Sequence, residues 1–172
     1  ISAIYNKTAP VETSQWVMPG NYTARLIAAG KTYEQSFTVK PDPRIKTSVK
    51  DFQLQHDLSL MVYKDRLKIT EGLKELQILR RKLKEKLPDA TGSALTEITA
   101  CDKQAAAFEN DPQGFGRIDN SLSSVFNILQ ETDMPATSQS ISAAKDSDGA
   151  FKILWAKWQE VKKRIKTCLG EK

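Results

Sequence analysis

The sequence predicts an α+β chain that is predominantly α, in which a β-hairpin precedes an antiparallel three- to four-helix bundle. Apolar residues alternate with polar ones before residue 46, and they recur at helical spacing after it. A composition of 40% apolar and 27% charged residues is typical of a globular domain. The Pro-containing stretch Lys40–Arg44 separates the two patterns. We therefore divide the chain into a hairpin region, residues 1–45, and a helical bundle, residues 46–172.

The hairpin is predicted on either side of a turn at Ala29-Gly30. Its predicted apolar face carries Tyr22, Ala24, Leu26, Ala28, Tyr33, Gln35, Phe37 and Val39. A two-stranded hairpin is marginally stable alone, so we expect this face to pack on upstream strands or on the helices. Ile1–Tyr5 and Gln15–Val17 could each pair as a short strand, whereas Pro10 argues against a complete sandwich.

Four helices are predicted after Thr47. The first ends near Pro88, and its apolar seam comprises Leu58, Val62, Ile69, Leu76, Leu79 and Leu83. The second and third are Ser93–Phe108 and Ile118–Leu129. The last begins near Pro135 and Thr137, and its apolar stripe comprises Phe151, Trp155, Trp158, Val161, Ile165 and Leu169. Antiparallel packing in up-and-down order is the economical arrangement for such helices.

Hydropathy and charge restrict the class of protein. The longest apolar runs are a few residues, whereas a membrane helix needs roughly 20, so no membrane span is expected. Residues 46–88 hold eleven Lys or Arg and six acids, while residues 89–145 hold three and eight. This asymmetry favours complementary helix surfaces at least as much as an anionic partner.

The chain opens at Ile1 without an initiator Met or signal-peptide features, and we interpret it as a piece of a longer protein.

Cys101 and Cys168 are the only cysteines, and the 66 residues between them match no zinc or redox spacing. In a secreted protein the pair is a candidate disulfide that closes a large loop. In a cytosolic protein the two residues would instead be small buried hydrophobes. The sequence leaves both interpretations open.

No motif in the sequence predicts catalysis, a cofactor or a metal. His56 is the only histidine, and we interpret it as a packing residue because a lone histidine cannot build the usual zinc site or catalytic triad. Asp65 interrupts the first helix's apolar seam, where we expect it to meet a Lys or Arg or to lie at a wet edge. Gly72 on the same seam predicts a close helix crossing or a kink.

Basic residues cluster near the ends of the first and last helices. The candidate interaction surface comprises Arg80, Arg81, Lys82, Lys84, Lys86, Lys162, Lys163, Arg164 and Lys166. These residues could bind an anionic polymer, but cations near helix C-termini also complement the helix dipole and need no ligand. The clusters lack interleaved aromatic residues and do not favour a nucleic-acid partner.

Trp155 and Trp158 lie one turn apart on the last helix. On an apolar stripe they are expected in the core. Exposed, such a pair could form a glycan platform or an interface anchor. Solvent exposure of the two indoles distinguishes these alternatives.

The order of motifs resembles the C-terminal region of sortilin-like BNR-repeat, glycosyl-hydrolase-like propeller proteins. In the first part the resemblance is carried by Pro19-Gly-Asn-Tyr-Thr-Ala-Arg-Leu26, Gly30-Lys-Thr-Tyr33 and Val39-Lys-Pro-Asp-Pro-Arg44. In the helical part it is carried by Ile118-Asp-Asn-Ser-Leu122, Asp133-Met-Pro-Ala-Thr137 and Trp155-Ala-Lys-Trp158. The resemblance spans most of residues 19–165, and residues 1–18 do not match well.

The resemblance implies an architecture rather than a reaction. It implies that residues 1–45 are the end of an Ig-like β-element, followed by a helical bundle in an exported protein of bacterial origin. Hydrolase chemistry would belong to the upstream propeller, and no catalytic residue of the family maps onto this chain. We therefore expect a non-catalytic accessory module that contacts its own upstream propeller or another protein. The alternative is a module that binds an anionic polymer or a glycan through the basic helix ends or through Trp155 and Trp158.

Overall fold

A computed structural model describes residues 14–110 and 114–171. The strands are β1 (Gly20–Ala28) and β2 (Lys31–Val39). The helices are α1 (Val49–Lys86), α2 (Gly92–Asn110), α3 (Phe115–Leu129) and α4 (Ser138–Leu169), with a 3-10 turn at Leu87–Asp89. The predicted α+β class, predominantly α, is confirmed. The strand considered at Ile1–Tyr5 falls outside the described residues, and residues 15–18 form no strand.

The two strands pair antiparallel around a tight turn. Ala29 and Gly30 both have positive φ, 49° and 72°, as a type I′ hairpin turn requires. The register places Tyr22 opposite Phe37 and Leu26 opposite Tyr33. Because directly opposed residues share a face, these four side chains lie on one side of the sheet. We call Tyr22, Leu26, Tyr33 and Phe37 the apolar face.

The long helices begin at capping side chains and stop at residues that disfavour helix. Ser48 accepts a hydrogen bond from the backbone N–H of Asp51, and Thr137 accepts one from Ser140. Pro88 follows the end of α1, and Gly170, with φ 72°, ends α4 in the left-handed conformation. Local sequence therefore sets both ends of each long helix.

The chain passes along the bundle three times, and we call each pass a leg. The second leg consists of two successive helices, α2 and α3. Arg80 of α1 donates to Asp102 of α2 at 3.0 Å, and Arg66 of α1 donates to Asp119 of α3 at 3.0 Å. The chain therefore returns along α1, first as α2 beside its second half and then as α3 beside its first half. These contacts join basic residues of α1 to acids of the following helices, as the charge asymmetry suggested.

The last helix runs parallel to the first. Lys162 of α4 binds Glu75 at 3.0 Å, and Glu171 just beyond α4 binds Lys82 at 2.8 Å. In an up-down-up bundle successive legs are antiparallel, whereas the first and third legs, which here also touch each other, share a direction. Four helices thus form three legs.

The aromatic part of the core lies beside the junction between α2 and α3. The ring of Trp158 lies 5.6 Å from that of Phe108 and 5.7 Å from that of Phe115. Gly72 of α1 faces this cluster: a Cβ atom there would lie 3.1 Å from both Phe115 Cζ and Trp155 Cζ3. The close helix crossing predicted at Gly72 is therefore present.

A disulfide joins Cys101 of α2 to Cys168 in the last turn of α4. It ties the second leg of the bundle to the third at the end remote from the hairpin. Within the residues that the structure describes, no helix has the length and apolar character needed to cross a membrane.

Candidate functional site

The apolar face of the hairpin is exposed to solvent. Leu26 is 62% exposed, Tyr33 54% and Phe37 49%, and the rings of Tyr22 and Phe37 lie 6.0 Å apart. No Cα atom of either strand comes within 8 Å of a Cα atom of α1, α2, α3 or α4 in the described chain. Of the two packings expected for this face, packing on the helices is not found in the described chain, because the strands project away from the bundle. Packing on upstream strands stays a prediction.

The opposite face of the hairpin is polar. Arg25 pairs with Glu34 at 2.6 Å, and Thr38 donates to the side chain of Asn21 at 2.8 Å. Ile27 is the exception on this face and is 71% exposed. The hairpin is thus a two-sided sheet whose apolar side lacks a covering layer within the described residues.

Four of the nine candidate basic residues make intramolecular contacts. Arg80 binds Asp102 and Glu109 of α2, Lys82 binds Glu171, and Lys162 binds Glu75. Lys86 donates to the backbone carbonyl of Leu169 at 2.6 Å. These residues join the helices to one another, and much of their charge is compensated.

The other five basic residues lie on two separate surfaces. Arg81 and Lys84 border one shallow depression near Glu85 and Glu109. Lys163 and Lys166 border another near Glu171, with Arg164 exposed beside them. The two depressions share no lining residue, so the structure does not unite the nine side chains into one patch.

The tryptophan pair does not form a platform. Trp158 is fully buried, and its ring packs on Phe108 and Phe115. Trp155 is half-buried and stacks on Phe151 at 5.7 Å. A glycan site that uses both indoles is excluded by the burial of Trp158.

Asp65 is buried against another carboxylate. Asp65 is only 6% exposed, and the carboxylate of Asp148 on α4 lies close enough to act on it electrostatically. Burial, followed by the nearby charge of Asp148, raises the pKa of Asp65 to about 6. Lys152 binds Asp148 rather than Asp65, at 2.7 Å. The expectation of an ion-paired or wet position for Asp65 is therefore wrong among the described residues. The residue is buried and forms no ion pair, and the charges of Lys68 and Lys152 lower its pKa by less than burial and Asp148 raise it.

A cleft of about 260 Å³ lies between the base of the hairpin and the near end of the bundle. Residues 16–19 and 39–41 form its hairpin side, and α1 and the end of α3 form its other side. His56 lies at this cleft with Nδ1 3.4 Å from Asp57. Ser59 and Gln130 also line it and are 2% and 6% exposed. Sequence reasoning missed this site because its residues are far apart in the chain and match no motif.

Across residues 14–110 and 114–171, no three His, Cys, Asp or Glu side chains are grouped as a metal site. Comparison of the chain with protein-family models, with curated proteins and with solved structures finds no match. The candidate functional surfaces of the described residues are the apolar face, the basic depressions and the cleft.

Proposed function

We propose that this chain is a non-catalytic interaction module whose hairpin docks onto a β-structured partner through its apolar face. The observation that carries the proposal is the exposure of Leu26, Tyr33 and Phe37 on one side of a sheet that none of the described helices covers. Contiguous exposed apolar side chains on a soluble fold mark contact surfaces. Within residues 14–110 and 114–171, both edges of the two-stranded sheet are also unpaired and could accept a further strand.

The helical bundle acts as the rigid support for the hairpin. Its three legs share an aromatic core and are tied by ion pairs from α1 to α2, α3 and α4. A hairpin held on such a support loses less conformational entropy on docking than an isolated one.

The partner that we propose is the upstream propeller region of the same parent chain. The resemblance to the C-terminal region of sortilin-like BNR-repeat, glycosyl-hydrolase-like proteins supports this choice, since it implies an Ig-like element upstream of the bundle. The Cys101–Cys168 disulfide is compatible with the exported location that the resemblance implies. On this proposal the module braces the propeller and has no turnover of its own.

Binding of the upstream region of the parent protein to this chain tests the proposal. We expect Leu26→Asp on the apolar face to weaken binding at least tenfold, because docking would bury an uncompensated charge. Ile27→Asp is the matched control: it places the same charge at the next residue, on the polar face, and should change binding less than twofold. Equal effects of both variants, or no binding by the unaltered chain, would contradict the proposal.

The second candidate function is binding of an anionic polymer through the basic helix ends. It is favoured by Arg81, Lys84, Lys163 and Arg164, for which no ion pair is found within the described part of the chain. Binding of dextran sulfate at about 50 mM and about 200 mM salt tests this function. Over roughly that range, counterion release makes the affinity for a polyanion fall steeply as salt rises. An affinity that falls steeply with salt, and that loses this dependence in Lys163→Ala/Arg164→Ala, supports this function. An affinity that does not change with salt excludes it.

A further inference from the structure

We propose that β1 is an inner strand and β2 an edge strand of an Ig-like β-sandwich whose remaining strands belong to the upstream region of the parent chain. This inference rests on the proposed function, and it adds what kind of partner docks and which edge of the hairpin receives it. On this assignment an antiparallel strand pairs along the outer edge of β1, and a second sheet covers the apolar face.

The first observation is the hydrogen bond of Tyr22. Its hydroxyl donates to the backbone carbonyl of Met18, four residues upstream, at 2.6 Å. This is the arrangement of a tyrosine corner, in which a tyrosine near the start of strand F of an Ig-like sandwich bonds back to the preceding backbone. Tyr22 is the third residue of β1. The hydrogen bond therefore identifies β1 as the equivalent of strand F.

The order of strands in such a sandwich then places β2. Strand F lies between strands C and G in one sheet, and strand G follows F along the chain. Here β2 follows β1 through a two-residue turn and pairs with it along its whole length. After β2 the chain leaves the sheet at Lys40-Pro41. β2 thus takes the place of strand G, and the neighbour that β1 lacks within the described residues is the equivalent of strand C.

The second observation is that the two edges of the hairpin differ. Ala28 and Lys31 flank the turn as a hydrogen-bonded pair, so alternation directs the backbone groups of Thr23 and Ser36 outward from opposite edges. On the β2 edge, the side-chain amide of Gln35 donates to the outward carbonyl of Ser36 at 3.1 Å. In the described chain no comparable contact occupies the outward backbone groups of β1. The edge of β1 is therefore the open one, as the strand order requires.

The apolar face supplies the inner surface of the sandwich. Its side chains alternate along both strands with the polar residues of the opposite face. This alternation is typical of a sheet that packs against a second sheet about 10 Å away. Ala24 lies two residues beyond Tyr22, at the position where antibody domains carry a cysteine, so the sandwich that we propose has no disulfide there.

The experiment is backbone amide hydrogen exchange in the ¹⁵N-labelled full chain, alone and saturated with the upstream region of the parent protein. In the free chain we expect the outward amides of both strands to exchange rapidly. In the complex, exchange of Thr23 and Arg25 on β1 should slow about 100-fold or more, as in a paired strand. Exchange of Glu34 and Ser36 on β2 should change less than about threefold, because β2 remains an edge.

Two proline variants at directly opposed positions provide a matched comparison. Thr23 and Ser36 are both exposed on the polar face, and neither N–H is bonded within the hairpin, so proline is compatible with the free sheet. Thr23→Pro should weaken binding of the upstream region about tenfold or more, because an inner strand loses a ladder hydrogen bond. Ser36→Pro should weaken it less than about threefold, because proline is tolerated on an edge strand.

Each outcome decides for or against the assignment. Slowed exchange on the β1 edge alone, with a selective loss of binding in Thr23→Pro, supports it. Slowed exchange on the β2 edge, on both edges or on neither overturns it, as do equal effects of the two proline variants. If the unaltered chain still binds in these cases and Leu26→Asp does not, docking through the apolar face stands without the sandwich. Absence of binding by the unaltered chain overturns both proposals.

Discussion

Asp65 shows how a buried acid makes stability depend on pH. In the folded chain burial and the nearby Asp148 raise its pKa to about 6, from an ordinary value of 3.8. Between these two pH values the folded state keeps a proton that the unfolded state releases. The contribution of Asp65 to the free energy of unfolding is therefore greatest below pH 3.8, is lost as pH rises through about 6, and is constant above that.

Replacing this acid with its neutral isostere should stabilise the protein. We expect Asp65→Asn to raise the free energy of unfolding by about 1–3 kcal/mol at pH 7, with a difference that shrinks towards zero near pH 4. Urea unfolding of both proteins at a series of pH values measures this difference in the free energy of unfolding. Asp146→Asn on α4 is the control, since that side chain is exposed and should give a small, flat difference. A constant difference for Asp65→Asn across the pH range would show that its charge is not what destabilises the fold.

Gly72 is constrained by packing rather than by its backbone conformation. A Cβ atom there would lie 3.1 Å from the rings of both Phe115 and Trp155, closer than ordinary van der Waals contact. We expect Gly72→Val to lower the free energy of unfolding by about 1–3 kcal/mol through overpacking. Gly149→Val on α4 is the matched control, because no described atom beyond the neighbouring backbone of α4 lies within 4 Å of its Cβ position, and it should be nearly neutral. Chemical denaturation of both variants provides the comparison.

At the scale of secondary structure, α4 depends on the cap at its first turn. Thr137 accepts a hydrogen bond from the backbone N–H of Ser140 at 3.1 Å. We expect Thr137→Ala to cost about 1 kcal/mol of stability, the usual effect of losing an N-cap. Thermal unfolding followed by circular dichroism measures it, with Ser138→Ala, one residue into the helix, as the control. An equal loss in both variants would indicate that the capping bond contributes nothing specific.

The strands and helices could be predicted because each depends mainly on residues that are close together in the sequence. Alternation around Ala29-Gly30 gave the hairpin with its apolar face, and spacing along the chain gave the four helices with their core residues. Contacts between elements were not predictable in the same way. Periodicity in α1 places Asp65 on the seam, but only the packing of α4 decides that Asp148 lies opposite it. The cleft was missed for the same reason, since α1 and the end of α3 line a common cleft only in the folded chain.

At the scale of the whole molecule, the hairpin and the disulfide lie at opposite ends of the bundle. Phe52 of α1 borders the cleft, and Arg80 of α1 binds Asp102, the neighbour of Cys101. At 1.5 Å per residue these positions on α1 are roughly 40 Å apart. Changes at sites so far apart, without shared partners, usually act independently of each other.

Reducing the disulfide should therefore weaken the protein without altering the hairpin end. Cys101 and Cys168 are separated by 67 positions in sequence, and closing a loop of that size contributes about 4 kcal/mol in the chain-entropy model. We expect dithiothreitol to lower the free energy of unfolding by about that amount. The amide shifts of residues 16–19 and 39–41 should remain unchanged at 25 °C. Urea unfolding with and without reductant measures the first effect, and the Cys101→Ser/Cys168→Ser variant controls for reagent effects. If reduction moved those shifts while the protein remained folded, the two ends would be coupled through the helices, and the bundle could not be the rigid support that docking of the hairpin requires.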